Sequence, residues 1–373
     1  MVSIRKILSL SLCLVFLLFS CKKEDDGTSD SCNNDFDQKA MFTNLADNLI
    51  IPAYQAFQTD FEKLQASAEG FVDAPDESAL SQLQADFETA YLSWQTVAPF
   101  EFGPAETYLL RSSLNSFPVD EARVDQNIAS GTYDFDQIET YDDGFPALDY
   151  LLFGIGADAA SIVDKYTADG LAGNYRTYLT DVLTDMKVRL DNTISDWDSY
   201  RSSFIENTGT AAGTSLSLVI NNLNEHYETI KRDKIGIPSG ILTLGFTNPM
   251  EVEALYSGIS LELAEAALMA SQSFYLGNSL NGDTGLGLDD LLEHVKAEKN
   301  GESLDQIIRM QFADALAAVR AIPGPLSEAV DNEKEAVENA YNETTVQVVN
   351  LKTDMPSVLC VAITYVDNPS DSD

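Results

Sequence analysis

The sequence predicts an all-α protein built from two helical-bundle domains. Apolar residues recur every three or four positions along most of the 373 residues, whereas the strict alternation typical of strands is scarce. The segment VAITYV (361–366) is the one serious candidate for a strand. Long amphipathic stripes joined by short polar connections favour helices packed against helices.

The stripes define long helices in chain order. The first contains Leu80, Leu83, Phe87, Tyr91, Trp94 and Val97, and the second runs for about six turns from Tyr175 to Trp197. The next two contain Leu216, Val219, Ile220, Leu223, Tyr227 and Ile230, and then Ile307, Ile308, Phe312, Leu316 and Val319. A final segment with the same period runs from Pro325 toward Met355.

Glycine, proline and small polar residues mark the connections. Residues 68–78 read as a link between two helices, and residues 115–134 and 234–249 read as longer irregular stretches. The segment NTGTAAGT (207–214) is the best boundary, and it divides an N-terminal bundle (37–206) from a C-terminal bundle (207–366). Each half has a Gly/Pro-containing loop followed by a helix rich in Leu and Tyr, which suggests an internal duplication.

The N-terminus has the pattern of a bacterial lipoprotein signal. Residues 1–20 combine two basic residues with an apolar run that is too short to span a membrane, and Cys21 follows as the expected lipidated residue. An ordinary secretory signal is the alternative. Residues 21–36 form a polar tether whose CKKEDD start resembles the surface-export signal of Bacteroidetes lipoproteins, and residues 367–373 form an acidic tail. We therefore expect an outer-membrane lipoprotein that faces the cell surface or, failing that, the periplasm.

The chain is strongly acidic, with a formal net charge of -38. Such a surface repels nucleic acid and anionic lipid, so we expect no nucleic-acid partner. The acidity is explained by a solvated exterior, with attraction of cations as the alternative.

Two cysteines besides Cys21 remain after the signal. Cys32 and Cys360 could pair in an oxidising compartment, which would tie the tether to the C-terminus. The sequence has no CxxC, CxxCH or Cys/His cluster, which argues against zinc-ribbon, covalent haem and iron–sulfur sites.

A set of segments in matching order resembles the imelysin family. They are LIIPAYQAF (49–57), WQTVAPFEFGPAE (94–106), RSSLNSFPVD (111–120), GFPALDYLLFG (144–154), KIGIPSG (234–240), EVEALYSGISLELAEAAL (251–268) and TDMPSVLCVAITYVD (353–367). The resemblance implies an all-helical protein of two bundle-like domains in an exported or anchored location. It also implies one of two roles, a peptidase or a component of iron uptake.

The family motif Gly-x-His-x-x-Glu is degenerate in this chain. Gly144 is kept, but Pro146 stands in place of the histidine and Asp149 in place of the glutamate. Proline has no side-chain ligand atom and suits the first turn of a helix. The segment therefore indicates the fold but lacks the histidine of the family motif.

Catalytic alternatives find little support in the rest of the chain. Neither His226 nor His294 begins an HxxE pattern, and both read as helix-surface residues, His294 beside Asp290. No HExxH or GxSxG motif occurs. A site of carboxylates alone remains open, and it would suit calcium, magnesium or manganese. Iron or another divalent cation could bind only in this way, because His and Cys ligands are lacking.

Asp149 lies among apolar neighbours and needs a partner to be tolerated there. We expect Arg111 to be that partner, either in a pocket with Glu101 or Glu106 that receives a polar ligand or in a buried structural ion pair. Glu251, Tyr256 and Ser257 would complete the site from the second half if it lies between the domains.

These observations leave three functions open. The first is a non-catalytic, anchored lipoprotein that binds an iron or haem ligand or an uptake-system partner. The second is an imelysin-type metallopeptidase acting on extracellular or periplasmic proteins. The third is a structural or adhesion lipoprotein whose pocket is vestigial. Loss of the motif histidine favours the first, because metal-assisted hydrolysis depends on its ligands.

Overall fold

The computed structural model describes Cys32 and residues 34–137 and 140–365, and these residues are mostly helical. The signal segment 1–20, Cys21 and the acidic tail 367–373 lie outside the described residues, as does most of the tether. The all-α prediction is confirmed.

The helices follow one another with short connections. They are α1 Gln38–Asn44, α2 Ile51–Asp73, α3 Glu77–Gln95, α4 Pro104–Thr107, α5 Leu110–Leu114, α6 Glu121–Ser130, α7 Gly144–Asp149, α8 Ala159–Thr167, α9 Ala172–Glu206, α10 Ser215–Thr229, α11 Ser260–Leu276, α12 Leu288–His294, α13 Leu304–Arg320, α14 Leu326–Asn332, α15 Lys334–Val348 and α16 Met355–Leu359. Short 3₁₀ turns occupy Ala98–Phe100 and Pro249–Glu251.

Helix α3 shows how local sequence sets these elements. The Asp76 side chain accepts the N–H of Ala79 and caps the first turn, which satisfies one of the donors that every helix start leaves open. The predicted stripe from Leu80 to Trp94 is buried along the helix. The apolar spacing therefore selects both the helix and the face that it turns to the core.

The sequence patterns did not predict the π-helical turns that interrupt several helices. They lie at Leu45–Ile50, Tyr150–Gly154, Ile230–Gly236 and Val349–Asp354. A π-turn inserts one extra residue into a helix and re-aims the side chains around it, often at functional sites. Two of the four adjoin the candidate site, since one directly follows Asp149 and another contains Lys234.

The strand prediction for VAITYV is wrong. Residues 361–365 have no regular secondary structure. The strands in the described part of the chain form one hairpin of two residues each, β1 Glu298–Lys299 with β2 Glu302–Ser303. The side chain of Asn221 holds the terminal segment instead, donating to the Ala362 carbonyl at 3.0 Å and accepting the Thr364 N–H at 2.6 Å. An amide side chain thus satisfies backbone groups that a second strand would have paired.

The stretch 115–134 is less irregular than expected, because α6 occupies its centre. Asp120 caps this helix at the N–H of Arg123, and Gly131 ends it in the left-handed conformation. These two turn-forming residues were part of the reason for predicting a loop.

The helices pack around one buried apolar cluster that draws on both halves of the chain. Helix α2 packs on α3 and α9, and α13 packs on α11 and α15. Contacts between α3 and α11, and between the 98–100 turn and α10, join the halves. Residues 207–214 do connect α9 to α10 without helix, but the two-domain division and the internal duplication stay predictions.

The N-terminal segment is fastened to the C-terminal one. Cys32 and Cys360 form a disulfide, with their Cα atoms 5.4 Å apart across 328 residues of sequence. The pairing that the sequence allowed is thus present in the structure.

Within the described residues, no single helix has the length and apolar character needed to cross a membrane. The segments Gly144–Gly154 and Ala159–Thr167 meet those criteria only as a pair bent by 107°.

Candidate functional site

Asp149 is held by the second half of the chain. It ends α7, is buried, and accepts the backbone N–H of Tyr256 at 2.9 Å and that of Ser257 at 3.0 Å, one on each carboxylate oxygen. Both donors belong to the loop that precedes α11. The motif carboxylate therefore ties the two halves together at the backbone level.

Burial raises the pKa of Asp149 to about 6, while the hydroxyl of Ser257 and the two N–H donors lower it. Taking a carboxylate out of water disfavours its charged form, and hydrogen bonds to that form oppose the effect. The effect of burial is the larger one, so the pKa of Asp149 stays above its usual value.

Gly144 and Pro146 fix the start of α7. Gly144 has a φ of +67°, and a Cβ there would lie 2.4 Å from the carbonyl oxygen of Leu114, so a side chain would clash with α5. Pro146 occupies the first turn, where a backbone N–H has no partner within the helix. Both residues are explained by local geometry without any ligand.

A small cavity of about 170 Å³ adjoins Asp149. Its lining includes Pro146, Asp149, Glu251 and Tyr256, and the hydroxyl of Tyr256 donates to the carboxylate of Glu121. The structure therefore brings together the motif residues and two of the three residues that the sequence assigned to the second half.

A larger cavity of about 970 Å³ lies beside it, between the halves. The two cavities share part of their walls, notably Glu251 and residues 117–119. Glu101, Asp120, Glu225, Glu228, Asp233 and Glu251 supply carboxylates to the larger cavity, and Arg111 and Arg232 supply guanidinium groups. Its volume is in the range of cavities that bind small molecules.

The expected Asp149–Arg111 pair is not formed within the described residues. The Arg111 guanidinium lies 3.1 Å from the Glu225 carboxylate and also donates to the Ala98 carbonyl at 3.3 Å. The carboxylate of Asp149 instead accepts two backbone N–H groups from the loop before α11. Arg111 belongs to the wall of the larger cavity and Asp149 to the smaller one.

Glu101 contacts Arg111 through the backbone. Both carboxylate oxygens of Glu101 lie 3.1 Å from the N–H of Arg111. Burial raises the pKa of Glu101, although the nearby Arg111 charge lowers it. Glu106, the alternative to Glu101, is exposed and lines neither cavity.

Ser257 contributes through its backbone N–H, as described, and its hydroxyl oxygen is buried. It lines neither cavity.

Sequence reasoning missed a buried ion pair beside these cavities. Lys234 and Glu253 are 3% and 1% exposed and form a salt bridge. Gln95 accepts from Lys234 at 3.2 Å, and the Asn115 amide donates to Glu253 at 2.8 Å. The first half thus supplies polar partners to a charge pair of the second half, which is the condition for tolerating buried charges.

Of the two histidines, His294 lies on the surface as expected, whereas His226 does not. His226 is 2% exposed, its Nδ1 lies 2.9 Å from the Ser271 hydroxyl, and burial holds its pKa well below the usual value. His294 pairs with Asp35 at 2.8 Å and not with Asp290, whose carboxylate accepts the N–H of Gly287. The periodicity could not reveal the burial of His226, because α10 is buried on more than one side and polar residues such as Asn221, Asn224 and Glu228 are buried with it.

The site does not fit a metal centre. Both oxygens of Asp149 accept N–H donors, Pro146 has no ligand atom, and the described residues contain no group of three His, Cys, Asp or Glu side chains placed to hold an ion. Metal sites normally require at least three such ligands.

The fold and the site define an all-helical protein with an acidic, ligand-sized cavity between its halves. The chain belongs to the imelysin family, whose model matches residues 50–351. The family expected from the sequence motifs is thus confirmed.

Three relatives illustrate the extent of the similarity. The chain is 22% identical to iron-regulated protein A of Synechococcus elongatus over 331 residues, which is 84% of this chain and 85% of that protein. Among solved structures, it superposes on a protein described as an iron-regulated protein A precursor from Parabacteroides distasonis with a TM-score of 0.74, at 18% identity over 87% of this chain and 95% of the other. An imelysin-like protein from Psychrobacter arcticum gives a TM-score of 0.67, at 19% identity over 88% and 97%.

Proposed function

We propose that this imelysin-family protein is a non-catalytic binding component of iron acquisition, which holds a polar ligand in the cavity between its halves. The observation that carries the proposal is the use of the motif carboxylate. Both carboxylate oxygens of Asp149 accept backbone N–H groups, and the residue at the histidine position is a proline. The motif segment therefore builds the wall of a cavity and lacks the groups that would activate water.

The lining of the larger cavity favours a ligand that carries positive charge. Six carboxylates and two guanidinium groups line it, so its net charge is negative. Glu225 pairs with Arg111, Glu228 with Lys231 and Lys352, and Asp233 with Arg232. Glu101 and Asp120 accept backbone N–H groups. Glu251 forms no side-chain hydrogen bond or ion pair with the described residues, so it is the carboxylate best placed to meet the ligand. Haem suits this lining less well, because its propionates are anionic and its macrocycle is apolar.

The link to iron comes from the relatives. One curated relative and one solved structure carry the description iron-regulated protein A. A cationic iron chelate satisfies both this link and the charge of the cavity, whereas the described residues lack a ligand set for a bare iron ion.

We further propose that the protein is exported and anchored by lipid at Cys21 in the outer membrane, with its folded part on the cell surface. The support is the N-terminal pattern of basic residues, apolar run and cysteine. The Cys32–Cys360 disulfide also suits an oxidising compartment.

A peptidase is the second candidate, and one observation favours it. The pKa of Asp149, about 6, is near the range useful for moving protons at neutral pH. Against it, Asp149 is buried, and the neighbouring Pro146 cannot assist.

Calorimetric titration of the purified protein tests the binding proposal. The probes are ferrioxamine B, a ferric trihydroxamate with a free ammonium group, together with anionic ferric citrate and haem. We expect ferrioxamine B to bind, and Glu251→Gln to weaken its binding about tenfold because one cavity charge is removed. Glu338→Gln changes an exposed carboxylate on α15 and is the matched control.

Absence of binding by all three probes would overturn the iron part of the proposal. Equal affinity for ferric citrate and ferrioxamine B would overturn the argument from charge.

A further inference from the structure

A single loop beside the cavities carries an unusual share of exposed apolar side chains. Residues 237–250, here called the apolar loop, include Ile241, Leu242, Leu244, Phe246 and Met250, all of them exposed. Leu244 is 95% exposed and Phe246 73%. Isolated surface hydrophobics are ordinary, but a concentrated group of this kind marks an interaction surface.

The apolar loop is held in shape by its own hydrogen bonds. The Asn248 side chain donates to the carbonyls of Ile237 and Phe246, each at 3.2 Å, and the N–H of Gly245 donates to the Gly240 carbonyl at 2.8 Å. Gly240 has a φ of +84°, and a Cβ there would meet the Phe246 backbone at 2.7 Å. The loop is therefore a compact, preorganised surface, which lowers the entropy that binding must overcome.

Leu244 lies at the tip in an unfavourable backbone conformation. Its φ is +58°, in the left-handed region, where glycine or asparagine has a lower conformational energy than leucine. Its side chain contacts little of the chain. Among the described residues, no packing around Leu244 stabilises a leucine at this position. Backbone strain of this kind is typical of functional surfaces.

The charges around the apolar loop indicate what can cover it. The sequence 237–250 contains no charged residue. Asp233, before the loop, is paired with Arg232 at 3.6 Å. Glu251 directly follows the loop, and Asp331 accepts the Thr247 hydroxyl at 2.6 Å, so these two carboxylates supply the negative charge beside it. A second copy of a chain with net charge -38 would be repelled, and so would an anionic lipid surface. A partner must offer an apolar recess with basic residues at its rim.

We propose that the apolar loop is the docking site of a protein partner that has an apolar groove ringed by Lys and Arg. Ile237 lines the larger cavity and Met250 the smaller one. A partner seated on the loop would therefore stand at the edge of both cavities. This proposal goes beyond ligand binding and holds whichever ligand the cavities take.

The experiment starts from the full chain in its native host. A photoreactive benzophenone amino acid at position 244 captures the partner, which is identified by mass spectrometry, purified and titrated against wild-type and variant protein. We expect Leu244→Ser with Phe246→Ser to weaken the affinity at least about thirtyfold, since two exposed apolar anchors are lost. High salt should weaken the wild-type complex as well, because opposite charges at the rim are screened.

Met310→Ser with Val346→Ser, which alters exposed apolar residues elsewhere, is the control and should leave the affinity unchanged. Leu244→Gly guards against misfolding. Glycine relaxes the left-handed backbone while removing the side chain, so this variant should fold at least as stably and still bind more weakly.

Three results would overturn the proposal. They are a crosslink to a second copy of the chain, crosslinks to lipid together with co-sedimentation of the protein with phosphatidylcholine vesicles, and equal affinity of the identified protein for the serine variant and the wild type.

Discussion

The carboxylate of Asp149 and the backbone N–H of Ser257 lie 3.0 Å apart, although 108 residues separate them in the sequence. The adjacent N–H of Tyr256 occupies the other carboxylate oxygen at 2.9 Å. The segment that identifies the family is thus joined to the second half of the chain by its acidic residue. Its role in this protein is to hold a loop, and with it a cavity wall, in place.

Replacing Asp149 by alanine should destabilise the fold. Two buried N–H donors would lose their acceptor, at a cost of about 2–4 kcal/mol in the free energy of unfolding. Urea denaturation measures the effect. Asp164→Ala, at an exposed position on α8, is the matched control, and an equally small change in both variants would show that the tie does not matter.

The contribution of Asp149 should depend on pH. Burial raises its pKa to about 6 in the folded protein, above the value of about 4 expected in the unfolded chain, so the folded state binds this proton more tightly. The stability gained from this tighter proton binding is fully present below about pH 4 and is lost as the pH rises through about 6. The stability of the wild type relative to Asp149→Asn should therefore fall over this window, by at most about 3 kcal/mol. Denaturation curves for both proteins from pH 4 to 8 give the difference, and a difference that rises with pH would contradict the assignment.

The buried pair of Lys234 and Glu253 should respond strongly to the loss of one partner. Lys234→Met leaves an uncompensated carboxylate in the core and should lower the free energy of unfolding by about 3–5 kcal/mol. Adding Glu253→Gln should recover part of the loss, which a double-mutant cycle measures. Lys39→Met, in an exposed pair with Glu206, is the control and should change little. Strictly additive effects of the two core changes would mean that the pair is not coupled.

The disulfide between Cys32 and Cys360 should stabilise the chain by restricting the unfolded state. Replacing both cysteines by serine should lower the free energy of unfolding by about 2–5 kcal/mol. Thiol alkylation of the unreduced, unfolded protein, read by intact mass, shows directly whether the two thiols are free. Two alkylated residues at these positions would contradict the bridge.

The helices were predictable because apolar periodicity is a local property. Leu80 to Trp94 on α3 and Tyr175 to Trp197 on α9 turn the predicted faces to the core. Turn-forming residues were a weaker guide. Asp120 and Gly131 read as parts of a loop, yet they cap the two ends of α6.

The candidate site was only partly predictable, since its contacts join distant segments. The sequence placed Asp149, Tyr256 and Ser257 in one site, but gave no indication that backbone donors rather than Arg111 would satisfy the carboxylate. Lys234 reads like any surface lysine, and only the fold shows that it meets Glu253 in the core. A one-residue π insertion also leaves no clear mark on apolar spacing, so the turn that carries Lys234 was not foreseen.

The most direct measurement is a cleavage assay that separates a structural role of Asp149 from a catalytic one. Denatured casein is incubated with the wild type, with the wild type plus a metal chelator, and with Asp149→Asn, and the fragments are followed by mass spectrometry. We predict no cleavage above the buffer blank in any of the three, because the carboxylate is occupied by Tyr256 and Ser257 and Pro146 offers no ligand. A purely structural role of Asp149 would be contradicted if the wild type cleaved casein, the chelator abolished that cleavage, and Asp149→Asn showed none.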